Sequence, residues 1–381
     1  MVYLLPLRAS GQFGLIVMLL SFFVFLCGFE RIVDLQRRAA AASEARTDRL
    51  IVATLRFYVV NQALLLPPLG ALLLAWVGLT PAEVALTLVI AVIEHFCNEV
   101  YRISIFAPRY GALLWVVFAK NLAVPALAAA AVLAGGLALD LATVLWAWAV
   151  ASVVAFAILA SGFARRLRLV PGEPAGAEMR VARQYRASLT HFIIGLVALF
   201  SIQVDRLIVG SLLTLELSGV YFRHLFLAAA VYQVTTVASH NRIVLRVFQA
   251  LHASDAAAAR RLIRRELRRV LAAAALIIAA ILLVDPRHLP HAAAATFLPV
   301  ILAGLVLAFV LRLAAEYHSV FLNGAHREAD VLRSQVLAVT LSAGVNVLLT
   351  SVYGLHGTVT AMAIGAAAYL LIIGAYARRV R

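Results

Sequence analysis

What most limits the fold of this chain is a succession of apolar stretches, each long enough to cross a bilayer, separated by short polar connections. A crossing helix takes about 20 residues. Eleven such stretches run approximately over 12–30, 51–79, 84–106, 112–135, 141–163, 189–213, 219–240, 270–284, 296–321, 331–353 and 358–377. They use most of the 381 residues and leave little for a soluble catalytic domain. Composition agrees: 13% of residues are charged and mean hydropathy is +0.97, whereas a soluble domain carries about 25% charged residues. The chain therefore reads as an all-α polytopic membrane protein. Its first apolar run has no small-x-small cleavage site, and Leu26 before Cys27 does not suit lipoprotein processing, so this run reads as a permanent span.

The formal net charge of +15 has to be located before it is interpreted. Arginine fills one set of connections: 31–50, 164–188, 241–269 and the tail after 377. The alternate set, 80–83, 136–140, 214–218, 285–295 and 354–357, contains Arg287 alone. The positive-inside rule places the arginine-rich set in the cytoplasm, with the C-terminus inside and residues 1–10 outside a cell inner (plasma) membrane. Topology alone produces this pattern, so no nucleic-acid partner is expected. Segment 254–269 reads as a separate amphipathic helix, capped by Ser254, whose basic face lies on the anionic inner leaflet. Cys27 and Cys97 both fall inside apolar stretches and indicate neither a disulfide nor a metal site.

A helix-breaking run, Pro171-Gly172-Glu173-Pro174, sits near the middle of the chain. It divides the chain into an N-terminal bundle of five spans (1–163), a cytoplasmic linker (164–188) and a C-terminal bundle of six spans (189–381). The halves show an ordered internal repeat. Ser10-Gly11 opens the first span and Ser218-Gly219 the seventh, and each span exits at a similar tripeptide, Arg31-Ile32-Val33 and Arg242-Ile243-Val244. Two spans further on, Glu94-His95 in one half corresponds to Glu316-Tyr317-His318 in the other. On this comparison the first half is one helix short, from a start-site error or a real truncation, and a helix ahead of residue 12 would restore a 6+6 arrangement.

The segment Gln203-Val204-Asp205-Arg206-Leu207-Ile208-Val209-Gly210, followed by Gly219-Val220-Tyr221, resembles the polysaccharide and O-antigen flippase branch of the multidrug/oligosaccharidyl-lipid/polysaccharide exporter superfamily. It is similar to that family's Asp-Arg-apolar-Gly ending of the seventh helix and Gly-x-Tyr opening of the eighth. Glu94 to Arg102 with Pro108-Arg109 resembles the fourth helix and its following turn. The resemblance covers nearly the whole chain apart from the family's first helix. It implies two pseudo-symmetric bundles around a central cavity, no cofactor, and movement of lipid-linked glycans between leaflets.

Ionisable residues inside spans cost about 2.5–3.5 kcal/mol each on insertion scales, so deep ones should face protein or water. Glu94, Asn98 and Arg102 lie at i, i+4 and i+8 on one helix face, and Arg102 is also spaced to pair with Glu99. Lys120, the only lysine, sits roughly 12 Å into its span at 1.5 Å per residue. It faces a cavity or pairs with Glu94 or Glu99 of the neighbouring span. Asp205 and Arg206 point about 100° apart, Arg223 lies near enough to the outer surface to snorkel, and Arg312 and Glu316 are spaced for an intrahelical ion pair. Asn61-Gln62 followed by Pro67-Pro68 suggests a kinked helix whose freed carbonyls need polar partners. The substrate-path candidates are thus Glu94, Asn98, Arg102, Lys120, Asp205, Arg206, Arg223, Arg312 and Glu316.

Cations drawn from both halves suit a polyprenyl-diphosphate-linked glycan as cargo. A polysaccharide polymerase or glycosyltransferase would be the natural partner. No Gly-x-x-x-x-Gly-Lys-Ser/Thr loop occurs, which disfavours an attached ATPase. A membrane-embedded glycan-modifying enzyme is the main alternative; it needs carboxylates or histidines, and Asp285, His288 and His291 cluster with Arg287 in the connection 285–295. A truncated, non-transporting relative is the other.

Overall fold

A computed structural model describes residues 5–39, 43–135, 139–166, 181–236, 239, 241–253, 255–285 and 296–380. They form two compact units, Gln12–Leu196 and a second made of the chain start up to Gly11 together with Val197–Arg381. The protein is an all-α polytopic membrane protein. Eight of its described helical segments are long and apolar enough to cross a membrane.

The first unit contains α1 (Leu7–Gly28, from Gln12 on), the short α2 (Arg31–Ala39), α3 (Glu44–Leu72), α4 (Pro81–Phe106), α5 (Leu114–Gly135) and α6 (Leu141–Ala164), and it takes the start of α7 (Val181–Leu212). Local chemistry sets the boundaries. Thr80 caps α4 reciprocally: its hydroxyl accepts the Glu83 N–H and the Glu83 carboxylate accepts the Thr80 N–H, with Pro81 at the first helical position. Asp140 caps α6 through the Thr143 N–H. Pro67 and Pro68 lie inside α3, which relaxes into a π turn over Leu73–Val77. The Gln12 side-chain amide donates to the carbonyl of Val77 at 3.3 Å and faces that of Gly78 at 3.4 Å, supplying a polar partner where the helix ends. Amphipathic α2 docks by Ile32 and Leu35 onto a core that includes Ile51, Ile93, Val100 and Phe163.

The second unit contains α8 (Leu215–Thr235), α9 (Asn241–His252), α10 (Ala256–Leu282), α11 (Pro299–Gly324) and α12 (Glu328–Arg379). Short amphipathic α9 follows α8 as α2 follows α1, and it buries Ile243 and Val247. Two expectations change here. The basic segment is not a separate surface helix: α10 runs unbroken from Ala256 to Leu282, so its arginines and the apolar stretch that follows share one helix. Its cap is Asp255, which accepts the Ala258 N–H at 2.7 Å, while Ser254 lies outside the described residues. The loop expected at 354–357 shrinks to a reversal at Gly354, with φ 57° and ψ −133°, inside the 52 residues of α12.

The two arms of α12 pair closely. The hydroxyls of Thr350 and Thr358 lie 2.9 Å apart, Thr350 donates to Asn346 at 2.8 Å, and a Cβ at Gly357 would collide with the Leu349 carbonyl. Leu64, Trp146, Leu276 and Leu348 are among many large apolar side chains left exposed, as lipid-facing surfaces require.

Candidate functional site

Each unit holds its own polar group. In the first, α4 carries the polar stripe. Glu94 accepts from the Lys120 ammonium of α5 and from the Trp148 indole N–H of α6 at 2.6 Å. Lys120 is only 3% exposed, so this carboxylate stabilises an ammonium withdrawn from water. Of the two readings left open for Lys120, the structure has pairing with Glu94. Asn98 donates to Glu99 at 3.3 Å, and Tyr58 donates its hydroxyl proton to the other Glu99 oxygen. Arg102 reaches Glu30 at 2.6 Å and Glu99 at 3.6 Å.

Glu30 gains that position from a backbone break. Phe29 and Glu30 both have positive φ, 48° and 50°, which turns the chain between α1 and α2. An aromatic cluster holds the break in place: Phe29 stacks on Phe192 with ring centroids 3.9 Å apart and meets Tyr185 edge-on at 4.9 Å. Asn61 donates to the Cys27 carbonyl at 2.8 Å and accepts from Tyr185. Gln62 is 2.8 Å from Nδ1 of His95, whose Nε2 is buried without a hydrogen-bond partner among the described residues.

In the second unit Asp205 on α7 accepts from Tyr221 on α8. Arg312 on α11 donates to the Ser201 carbonyl at 2.7 Å and to its hydroxyl at 3.0 Å, and stands 3.9 Å from Glu316. Asp205 and Arg312 line one small cavity with Ser201, Ser342 and Tyr369. Arg206, next to Asp205 in the chain, has a buried Nε without a hydrogen-bond partner among the described residues. Arg223 does not snorkel: it is buried, and its guanidinium donates to the Ser10 hydroxyl at 3.2 Å, the Thr296 hydroxyl at 2.9 Å and the Leu5 carbonyl. Beside it, His224 accepts the Leu298 N–H at 2.9 Å, capping α11, and its other ring nitrogen lies 2.7 Å from the Val220 carbonyl.

The two Ser-Gly dipeptides that open the repeat meet in this unit. A Cβ on Gly11 would fall on the Leu215 carbonyl and 3.2 Å from the Gly219 N; one on Gly219 would fall on the Leu7 carbonyl and 3.2 Å from the Gly11 N. Helices approach this closely only where side chains are absent.

The structure thus brings Glu94 to Lys120, Arg102 to Glu99, and Asp205 into one cavity with Arg312, the guanidinium that faces Glu316. It ties Arg223 to the chain start. Sequence reasoning missed Glu30, Tyr58, Trp148, Ser201 and Tyr221 as partners. Glu30 carries a signal, a carboxylate closing an apolar run directly before Arg31. Trp148 and Ser201 carry none, since an indole or a hydroxyl inside an apolar stretch looks like ordinary packing. Arg287, His288 and His291 lie outside the described residues, and the described residues contain no group of three or more metal-binding side chains.

No protein-family model matches the chain, and no curated protein matches its sequence. Solved structures do match. An inward-facing multidrug resistance MATE family transporter of the MOP superfamily aligns with a TM-score of 0.69 at 14% identity, over 98% of this chain and 90% of the other. The lipid II flippase MurJ, in an inward closed conformation, gives a TM-score of 0.74 at 10% identity, over 98% and 82%. A MOP superfamily transporter from Pyrococcus furiosus gives 0.61 at 14% identity, over 97% and 87%. At these identities the likeness is one of fold, and the fold of this chain is that of the MOP superfamily transporters.

Proposed function

We propose that the protein translocates an anionic lipid-linked oligosaccharide or polysaccharide repeat unit from the inner to the outer leaflet by alternating access, without a cofactor. The observation that carries this reading is the contrast between cations in the two units. In the first unit Lys120 and Arg102 are matched by Glu94, Glu30 and Glu99. In the second, Arg206 has a buried guanidinium nitrogen with no hydrogen bond among the described residues, and Arg312 stands as far as 3.9 Å from Glu316. A diphosphate offers the several charged acceptor oxygens that such guanidinium groups lack. Outward movement of each negative charge is favoured by about 2.3 kcal/mol per 100 mV of inside-negative potential. The likeness in fold to a lipid II flippase supports the same class of cargo.

Reconstitution tests the reading. Proteoliposomes loaded with a polyprenyl-diphosphate oligosaccharide should expose it to an external glycosidase or lectin only when the protein is present. Arg206→Gln should slow that exposure about tenfold or more, and Arg206→Lys, which keeps a cation near the buried Asp205, should slow it less. Equal rates in wild type and protein-free vesicles would overturn the proposal.

A further inference from the structure

A pocket of about 370 Å³ lies where the N-terminal half of α10 meets the C-terminal ends of α11 and α12, all within the second unit. Its polar lining is entirely basic or imidazole: Arg260, Arg264, His318 and Arg378. No carboxylate lines it. On α10 the lining residues Arg260, Ile263, Arg264 and Leu267 recur at i, i+3, i+4 and i+7, and on α12 Gly374, Ala377 and Arg378 recur at i, i+3 and i+4. Each helix therefore turns one continuous face to the pocket.

The arginines divide by role. Arg260 is structural: it lies over the Phe321 ring at 5.3 Å and donates to the carbonyls of Ala377 and Val380, closing the end of α12. Arg264 and Arg378 are exposed and make no hydrogen bond or ion pair among the described residues. The nearby carboxylates are engaged elsewhere, Glu266 with Arg269 at 3.1 Å and Asp255 with Arg261 at 3.8 Å. Two free guanidinium groups at the mouth of a pocket without carboxylates make an anion site.

The same two helix faces continue into apolar surface. Four residues beyond Leu267, Leu271 is 46% exposed, and three residues before Gly374, Leu371 is 72% exposed. A Cβ at Gly374 would meet nothing within 4 Å, so the pocket stays open at that depth. A soluble anion would use only the cationic mouth. A membrane lipid would use the mouth for its phosphate and the Leu271 and Leu371 rows for an acyl chain.

We propose that this pocket binds an anionic glycerophospholipid, its phosphodiester held by Arg264 and Arg378 and its acyl chain lying along α10 and α12. Basic pockets between transmembrane helices on the cytoplasmic side are suited to anionic head groups, and the positive-inside reading puts this one at the inner leaflet. The site is independent of the translocation path proposed above, and its ligand is a resident lipid rather than cargo.

Native mass spectrometry of the full chain, titrated with phosphatidylglycerol or phosphatidylcholine, tests the proposal. Wild type should retain phosphatidylglycerol in preference to phosphatidylcholine, and Arg264→Gln with Arg378→Gln should weaken retention about tenfold. The matched control, Arg261→Gln with Arg265→Gln, removes the same charge from α10 residues that do not line the pocket and should change retention less than twofold. Gly374→Leu, which keeps every arginine, should also displace the lipid. Equal losses in the two double variants would reduce the effect to general surface charge and overturn the site. Displacement of phosphatidylglycerol by equimolar inorganic phosphate would overturn the lipid assignment in favour of a soluble anion.

Discussion

Glu94 answers two donors at once, the Lys120 ammonium and the Trp148 indole. Replacing it by Gln leaves the buried ammonium without a counter-charge, a change that typically costs about 3–5 kcal/mol. Glu94→Gln should therefore lower the thermal midpoint of the detergent-solubilised protein sharply, and adding Lys120→Met should recover most of the loss. A Lys120 serving mainly as a cargo contact would give the opposite result, a stable single variant with impaired transport. Legibility at this scale follows geometry. Spacing along one helix makes the Arg312 and Glu316 pair readable, because i and i+4 positions are neighbours by construction. Partners on other helices are not readable: nothing near Arg223 in the chain signals Leu5, Ser10 or Thr296, so a position that looks shallow by counting residues proves to be buried.

Two close approaches decide how the elements of the second unit meet. Gly354 reverses α12 in a backbone conformation that other residues reach only at a cost of about 1–3 kcal/mol. Gly11 and Gly219 let the start of α1 lie backbone to backbone on α8, where any Cβ would strike a carbonyl. Gly354→Ala and Gly219→Ala should each lower the thermal midpoint, with Gly374→Ala, whose Cβ enters open space, as the neutral control. Element existence is largely legible, since an apolar run of spanning length has few other fates: all eleven expected spans fall in helices, though α8 and α10 are not among the eight segments long and apolar enough to cross. Their ends were less so. The basic run before Val270 reads as a surface helix by composition, yet nothing between Asp255 and Leu283 breaks an α-helix, and hydrogen bonding continues through it. The Ser-Gly repeat was visible as a weak match; that its two copies touch was not.

The whole molecule is organised by where charge is absent. Helix ends at Thr80 and Thr214 are capped by neutral hydroxyls beside a single acidic residue each, while the opposite ends of the helices gather the arginines of α2, α9, α10 and the tail. Translocated loops tolerate few arginines, so we propose from this asymmetry an orientation with the C-terminus in the cytoplasm. Single cysteines test it, since Cys27 and Cys97 are buried and stay silent toward a membrane-impermeant maleimide. In intact cells Thr80→Cys and Thr214→Cys, both exposed positions, should label, whereas Glu328→Cys and Arg379→Cys should label only after permeabilisation. Labelling of Arg379→Cys in intact cells would invert the orientation. It would also move the arginine-lined pocket of α10 and α12 to the outer leaflet, where the anionic lipid proposed for it is scarcer, so this one measurement bears on both the direction of transport and the pocket's occupant.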